Sequence, residues 1–277
     1  MMKRKVLITG ACGVIASKII PGLQERYDLQ MTDITRTNRD GISLDAIQTA
    51  DLLDTNRDAY RDLFRDVDTV IHSAFVQKKP GEEPFFAELA NVSMAYNVYQ
   101  TCVEENVRRV VVISSNHAAD YYENLIHKGL MLSVTPAMPP FSDNYYGWAK
   151  IAYEALGFVF ATGNMNNQKK LPNVQIRIGG PRETDIESCP IGDVVKMHRA
   201  LGAYLSLRDE LQLIEKSIEA ASIDDENAIP FQIFYGVSNN THNFWDIGNA
   251  RRLIGYAPQD NSSIRFAKQV ARITQAI

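Results

Sequence analysis

Short apolar runs alternate with longer stretches of helical spacing along this 277-residue chain. Runs of strand length predict six β-strands, at residues 5–9, 28–32, 48–50, 68–74, 109–115 and 174–178. Helices are predicted at residues 17–26, 54–65, 83–106 and 209–222, and another begins near residue 146 and ends near 164. Continuous apolar strands separated by helices are typical of a parallel sheet covered on both faces. The pattern therefore predicts an α/β fold with a Rossmann-type doubly wound sheet.

The longest predicted helix, residues 83–106, carries an apolar stripe at helical spacing. We expect this stripe to be buried against the sheet. Its members are Phe85, Leu89, Val92, Tyr96, Tyr99 and Val103.

A glycine turn joins the first predicted strand to the first predicted helix. Gly10 permits a tight turn, Gly13 lets a phosphate approach the backbone, and Ala16 is small enough for close packing of helix on strand. A strand, a glycine turn and a helix N-terminus together bind pyrophosphate, so the chain is predicted to bind a dinucleotide. Asp33 follows the second strand and would repel a 2′-phosphate, which favours NAD over NADP. The nearby Arg36 and Arg39 favour NADP instead, since either could pair with that phosphate.

The carboxyl ends of the predicted strands carry the candidate site residues. In an open parallel sheet, ligands bind beyond these ends. We therefore expect one edge of the sheet to bring together Gly10, Asp33, Ser73, Ser115 and Ile178. We predict two parts of the chain: a nucleotide-binding core at residues 1–178 and a small substrate-binding region at residues 179–277. Within the second part, about residues 230–238 are expected to return to the sheet.

Tyr146 and Lys150 lie one helical turn apart and share a helix face. An ammonium group beside a phenol stabilises the phenolate, and such a tyrosine can take a proton from an alcohol. The motif alone is common by chance, and a solvated helix face is the alternative. Tyr145 is the competing phenol, but its spacing from Lys150 places it off the favourable face.

Composition and charge indicate which classes of partner are not expected. A formal net charge of −4 gives no reason to expect nucleic acid. Cys12, Cys102 and Cys189 form no metal-ligand spacing, so we expect reduced thiols and no bound metal. No signal peptide and no membrane-spanning apolar stretch are recognised, which predicts a cytoplasmic protein without a membrane partner.

Together these motifs resemble the extended short-chain dehydrogenase/reductases, also called the NAD-dependent epimerase/dehydratase family. The motifs are Thr9-Gly10-x-x-Gly13-x-x-Ala16, Asp33, Asp51-Leu52, His72-Ser73-Ala74, Asn91, Ser114-Ser115 and Tyr146-x-x-x-Lys150. The resemblance implies that Tyr146 is the acid/base, that Lys150 assists it, and that Ser115 hydrogen-bonds the reacting oxygen. It also implies cofactor contacts at Gly10, Cys12, Gly13, Val14, Ile15, Asp33, Asp51, Leu52, Ser73, Ala74, Asn91, Ile113, Tyr146, Lys150 and Ile178.

Within that family the chain is most similar to uronate dehydrogenases, which oxidise the anomeric carbon of a uronate to a lactone. Residues 114–122 and 235–260 carry this likeness. It implies an NAD-dependent oxidoreductase acting on a hydroxyl of a sugar or sugar acid. The implied substrate contacts are Gln77, Ser115, Asn116, His117, Tyr146 and Arg182; Asn116 and His117 can alternatively stabilise a tight turn.

Three departures from the uronate dehydrogenases leave the substrate open. The arginine expected past the sixth strand falls at or near Cys189, so Arg182 either replaces it or is an ordinary surface residue. Gln77 replaces a small hydroxyl residue. Residues 122–143 are longer than expected and form either a lid, a pocket wall or a surface insertion.

Two other functions are compatible with parts of the sequence. A nucleotide-sugar or sugar epimerase of the same family uses the same hydride transfer, but the short C-terminal part disfavours it. A non-catalytic NAD-binding protein has no need of Ser115, Tyr146 and Lys150 together. By likeness to the family, we also expect a homodimer.

Overall fold

The structure, a computed structural model, describes residues 3–275 and contains one seven-stranded sheet. Its strands are β1 (Lys5–Thr9), β2 (Asp28–Asp33), β3 (Ile47–Thr49), β4 (Thr69–His72), β5 (Arg109–Ser115), β6 (Asn173–Ile178) and β7 (Phe231–Gly236). All neighbours pair in parallel, in the order β3-β2-β1-β4-β5-β6-β7. The predicted doubly wound parallel sheet is confirmed.

Helices connect and cover these strands. They are α1 (Val14–Arg26), α2 (Pro84–Glu104), α3 (Glu123–His127), α4 (Tyr145–Thr162), α5 (Thr184–Glu187), α6 (Val194–Ala203), α7 (Leu207–Glu219), α8 (Gly248–Ile254), α9 (Ser262–Arg265) and α10 (Ala267–Thr274). Because every crossover returns the chain to the same end of the sheet, all seven strands present their carboxyl ends at one edge. Among the described helices, none has the length and apolarity required to cross a membrane.

The helix predicted at residues 54–65 is wrong. This stretch instead contains two short 3₁₀ helices, Arg57–Ala59 and Arg61–Phe64. The Asp54 carboxylate accepts a hydrogen bond from the Asn56 amide, an Asx turn that competes with a helix start. Only Tyr60, Leu63 and Phe64 anchor the stretch in the core, too few apolar positions to sustain an α-helix.

The prediction that the apolar stripe of α2 is buried is also wrong in part. Phe85, Leu89 and Tyr96 are exposed by 36%, 39% and 44%. The face that packs on the sheet is offset and includes Ala87, Asn91, Met94, Ala95, Val98 and Cys102. Since α2 is apolar around much of its circumference, spacing alone did not distinguish the face on the sheet from the face directed outward.

Residues beyond β6 pack against the same core as the first strands. One buried cluster contains Ile8 and Ile19 together with Leu213 and Trp245. Within the predicted return at about residues 230–238, the structure has β7, which pairs with β6. The boundary at residue 178 stays a prediction.

Residues 122–143 are packed rather than free. Val134 is fully buried, and its backbone exchanges hydrogen bonds with the 244–246 stretch: Val134 N donates to Phe244 O at 2.7 Å, and Asp246 N donates to Val134 O at 2.9 Å. Of the predicted alternatives, the packing favours a wall over a mobile lid.

Candidate active site

A cleft of about 890 Å³ lies at the carboxyl edge of the sheet. The predicted site residues that line it are Gly10, Gly13, Val14, Ile15, Asp33, Asp51, Leu52, Ser73, Ala74, Gln77, Ile113, Ser115, Asn116, His117, Tyr146, Lys150, Ile178 and Arg182. The structure thus brings together nearly every residue singled out in the sequence. Cys12 and Asn91 are the predicted residues outside this lining.

The glycine loop has the shape that a pyrophosphate needs. Gly10 has a φ of +70°, and a Cβ there would lie 2.5 Å from the Ala74 Cα, so only glycine fits. Gly13 is the N-cap of α1 and lines the cleft together with Val14 and Ile15. A thirteen-residue helix therefore directs its N-terminus at the cleft, which fits the phosphates of a dinucleotide.

Asp33 is hydrogen-bonded to the glycine loop. Its Oδ2 accepts a hydrogen bond from the Cys12 amide at 2.9 Å. Cys12 thus acts through its backbone, holding the carboxylate that is predicted to meet a ribose. Arg39 also lines the cleft, and Arg36 does not.

Asn91 lies behind the cleft on α2 and holds the segment that follows β4. Its Oδ1 accepts from the Val76 amide at 2.7 Å, and its Nδ2 donates to the Val76 carbonyl at 3.1 Å. Val76 itself lines the cleft. The geometry indicates that Asn91 shapes the cofactor site through the backbone of residues 73–77.

Tyr146 and Lys150 are positioned by the start of α4. Asn144 caps this helix, accepting a hydrogen bond from the Gly147 amide at 2.9 Å. Gly147 lies so close to the chain after β5 that a Cβ would be 2.2 Å from the His117 carbonyl oxygen. Lys150, only 6% exposed, lies with its Nζ 5.2 Å from the centre of the Tyr146 ring. Tyr145 does not line the cleft, which favours Tyr146 as the reacting phenol.

The ammonium group of Lys150 is held in a narrow site. It donates a hydrogen bond to the Ile113 carbonyl at 3.3 Å, and it lies 5.4 Å from the centre of the Phe75 ring. The Phe75 and Tyr146 rings meet edge to face at 5.5 Å. Phe75 follows the Ser73-Ala74 motif directly, yet no motif in the sequence marked it as a site residue.

His72 is buried behind the same region. Its Nδ1 lies 2.8 Å from the Thr9 hydroxyl, which joins β4 to β1. Burial, together with the charge of Lys150, lowers the pKa of His72 to about 3. This histidine is therefore neutral and structural.

Beneath the site, a buried charged network connects β5, α4 and β6. Arg177 and Glu154 form an ion pair at 2.7 Å with side chains 1% and 3% exposed. Ser114 donates to the same carboxylate at 2.6 Å, and Arg177 donates to the Tyr235 hydroxyl at 3.1 Å. Glu154 is one helical turn from Lys150 and Ser114 adjoins Ser115, so the network fixes the strand relative to the helix.

Three predicted substrate residues are consecutive at the end of β5: Ser115 is its last residue, and Asn116 and His117 follow. Ser115 Oγ accepts from the His117 amide at 3.2 Å. Asn116 is 1% exposed, and its Nδ2 has no hydrogen-bond partner within residues 3–275. Asn116 lines the cleft, and a buried donor without a protein partner is suited to a ligand oxygen.

His117 is held from both sides of its ring. Nδ1 donates to Asp120 at 2.7 Å, and the Arg199 guanidinium lies 3.5 Å from Nε2. Although burial alone acts in the opposite direction, the hydrogen bond from His117 helps to keep the pKa of Asp120 below its usual value. The anionic Asp120 therefore fixes the tautomer and the orientation of the imidazole.

Two arginines that line the cleft are candidate substrate contacts. Arg182 is 63% exposed and lies 3.6 Å from Asp185, so it reaches the cleft from its rim. Arg199, on α6, is paired with Glu123 at 3.3 Å. Cys189 is buried and does not line the cleft. No motif marked Arg199, because only the tertiary fold brings α6 beside His117.

The described part of the chain contains no cluster of three or more His, Cys, Asp and Glu side chains arranged to hold a metal ion.

Comparison with known proteins agrees with this geometry. The NAD-dependent glucose-6-phosphate dehydrogenase of Haloferax volcanii is 29% identical, over 95% of this chain and 95% of its own length. A uronate dehydrogenase of Pseudomonas syringae pv. tomato is 27% identical, over 95% of this chain and 85% of its own.

A solved structure and a family model extend the likeness to the fold. The crystal structure of a glucuronic acid dehydrogenase from Chromohalobacter salexigens superposes with a TM-score of 0.75 at 26% identity, over 100% of this chain and 91% of that one. The model of the family described as "NAD dependent epimerase/dehydratase family" matches residues 6–165, more than half of the chain. The protein belongs to the NAD dependent epimerase/dehydratase family.

Proposed function

We propose that this protein is an NAD-dependent dehydrogenase that oxidises the anomeric hydroxyl of a sugar or sugar acid to a lactone. The observation that carries the proposal is the presence of Ser115, Tyr146 and Lys150 in the same cleft as the glycine loop. The relatives named as dehydrogenases of glucose 6-phosphate and of uronates support a sugar substrate.

In this proposal Tyr146 removes the proton from the anomeric hydroxyl. Lys150 stabilises the phenolate electrostatically, and the rings of Phe75 and His117 enclose the Tyr146 ring from two sides. Ser115 holds the reacting oxygen. NAD, when bound, supplies the hydride acceptor.

The substrate ring is bound by polar groups on three elements. Asn116 offers its unpartnered Nδ2, and His117 is held in a fixed orientation by Asp120. Gln77, which follows β4, lines the same cleft, and Arg182 and Arg199 supply guanidinium groups. A hydroxyl-rich ring with or without a carboxylate fits this set.

Oxidation of a panel of sugars tests the proposal. NADH absorbance is followed while NAD is offered with galacturonate, glucuronate, neutral aldoses and polyols. NADH formation with a sugar and recovery of the lactone are the expected results. Polyol oxidation alone, or sugar epimerisation without net NADH by protein that retains its cofactor, would contradict the proposal.

The Tyr146→Phe variant tests the mechanism. Removing the phenolic hydroxyl removes the general base, so kcat should fall by about 100-fold or more, as is usual for an acid/base group. The affinity for NAD, measured by calorimetry, should change little. Tyr145→Phe is the matched control and should keep its activity.

We also propose that the protein forms a homodimer through α2 and α4. Phe85, Leu89 and Tyr96 on α2 are exposed, as are Tyr145 and Phe158 on α4, and the Phe85 and Tyr145 rings meet at 5.8 Å. Monomers rarely leave so many large apolar side chains in contact with water on adjoining helices. A two-fold axis would bury this self-complementary face.

A further inference from the structure

A second cavity of about 500 Å³ adjoins the cleft. His117 and Arg199 line both this cavity and the cleft, and the Arg199 guanidinium lies 3.5 Å from His117 Nε2. Its size lies within the range of about 300–1,000 Å³ that is typical of small-molecule sites.

The wall of this cavity comes largely from the unusually long connection between β5 and α4. Glu123, Asn124, His127 and Asp143 line it from that connection, and Lys196 lines it from α6. The connection is held in place by Val134 and by the hydrogen bond from the Tyr122 hydroxyl to the Pro139 carbonyl at 2.9 Å. The cavity is therefore a formed part of the fold.

Its lining favours a neutral, hydroxyl-rich group over a phosphate. Four carboxylate residues line it, Asp120, Glu123, Asp143 and Asp193, together with the cationic Lys196 and Arg199 and with His117 and His127. Arg199 is already paired with Glu123. An excess of negative charge repels a phosphate or a second carboxylate. Closely spaced donors and acceptors suit sugar hydroxyls instead.

Resting on the proposed function, we infer that the second cavity binds a further, neutral sugar unit of the substrate. The reducing-end unit lies at Tyr146 and Ser115, and the glycosidic bond passes His117 and Arg199. The next unit then contacts Lys196 and Asp143. The substrate class is a disaccharide or longer oligosaccharide that is oxidised at its reducing end.

Calorimetry on the NAD-loaded Tyr146→Phe protein tests binding without turnover. Cellobiose and lactose both carry glucose at the reducing end, so glucose is their matched control. The expected result is a Kd about tenfold lower for the disaccharides, the value of about one well-formed hydrogen bond. Equal Kd values, or tighter binding of glucose 6-phosphate than of the disaccharides, would overturn the inference.

Variants in the second cavity show where the extra unit binds. Lys196→Ala combined with Asp143→Ala should remove the tenfold advantage and leave the Kd of glucose unchanged. Lys268→Ala, an exposed lysine outside both cavities, should leave both values unchanged. An equal loss for glucose and cellobiose in the double variant would contradict the assignment.

Turnover by the unmodified enzyme separates this inference from the proposed function. If monosaccharides are oxidised and disaccharides are turned over no more efficiently, the second-cavity inference is wrong and the proposed function stands. Absence of NADH with every sugar counts against the proposed function, whereas the binding measurements still decide what the second cavity accepts.

Discussion

At the scale of single residues, Asp33 combines two tasks, because its carboxylate holds the Cys12 amide and faces the cofactor cleft. Asp33→Asn keeps an oxygen for the Cys12 amide but removes the charge. We expect kcat/KM with NAD to fall about 10- to 100-fold, the cost of losing charge-assisted hydrogen bonds. We also expect use of NADP to rise relative to NAD, since the repulsion of a 2′-phosphate is lost.

Steady-state kinetics with both cofactors measure this change. Arg39 lines the same cleft and can pair with a 2′-phosphate. Adding Arg39→Ala should therefore cancel the gain with NADP. An unchanged ratio of the two cofactors in Asp33→Asn would contradict the role assigned to the carboxylate.

Glu210 makes stability depend on pH. It is 2% exposed, and neither of its carboxylate oxygens has a hydrogen-bond partner in the described part of the chain. Burial, only partly opposed by Lys18, raises the pKa of Glu210 to about 8. Between its ordinary value of 4.5 and about 8, the folded state keeps a proton that the unfolded state has lost. The free energy of unfolding therefore falls as pH rises, by about 1.4 kcal/mol per pH unit from this group.

Glu210→Met removes this titration at similar volume. Urea denaturation at pH 5 and pH 8 should show a gain in stability that is larger at pH 8. Glu226→Gln, an exposed carboxylate, is the control and should leave the pH dependence unchanged. Parallel stability curves for Glu210→Met and the unmodified protein would show that this carboxyl is not protonated at pH 7.

At the scale of elements, the Glu154–Arg177 pair connects α4 to β6, and Ser114 brings β5 into the same network. Glu154→Gln leaves the guanidinium buried without its countercharge, so unfolding should become easier by about 3–5 kcal/mol. Ser114→Ala removes one hydrogen bond and should cost about 1 kcal/mol. Urea denaturation measures both values.

A double variant distinguishes the contribution of the buried charges to stability from the contribution of side-chain packing. Glu154→Leu with Arg177→Met replaces the pair by apolar groups and should be more stable than Glu154→Gln alone. If the network positions Ser115 and Tyr146, kcat should fall in Glu154→Gln while the affinity for NAD stays near normal. Loss of NAD affinity in parallel with kcat would instead indicate general unfolding of the cleft.

The elements also show which features the sequence could predict. The central strands β1, β4 and β5 were foreseeable because each contains an apolar run that is buried on both faces. The orientation of α2 was not, because an apolar residue does not specify which neighbour covers it. Likewise, motifs with a fixed local spacing located Gly10 and Tyr146, whereas Arg199 and the Asp120 contact to His117 depend on distant segments or on a loop conformation.

At the scale of the whole molecule, the exposed apolar face on α2 and α4 predicts a dimer. Leu89→Arg places a charge at the centre of this face, so the dimer should dissociate at micromolar concentration. Light scattering measures the mass. Leu132→Arg, at a side chain 90% exposed in the 122–143 segment, should leave the mass unchanged. A monomeric unmodified protein would refute the dimer.

The pairing of Val134 with the 244–246 stretch also limits how this protein can be re-engineered. Trp245 packs on Tyr235 of β7 at 4.9 Å, so the wall of the second cavity is joined through Trp245 to the last strand of the sheet. Residues 122–143 are therefore not an interchangeable insert. A chimaera that imports this segment from a relative must import the matching 244–246 stretch with it, and natural variation at the two places should be correlated.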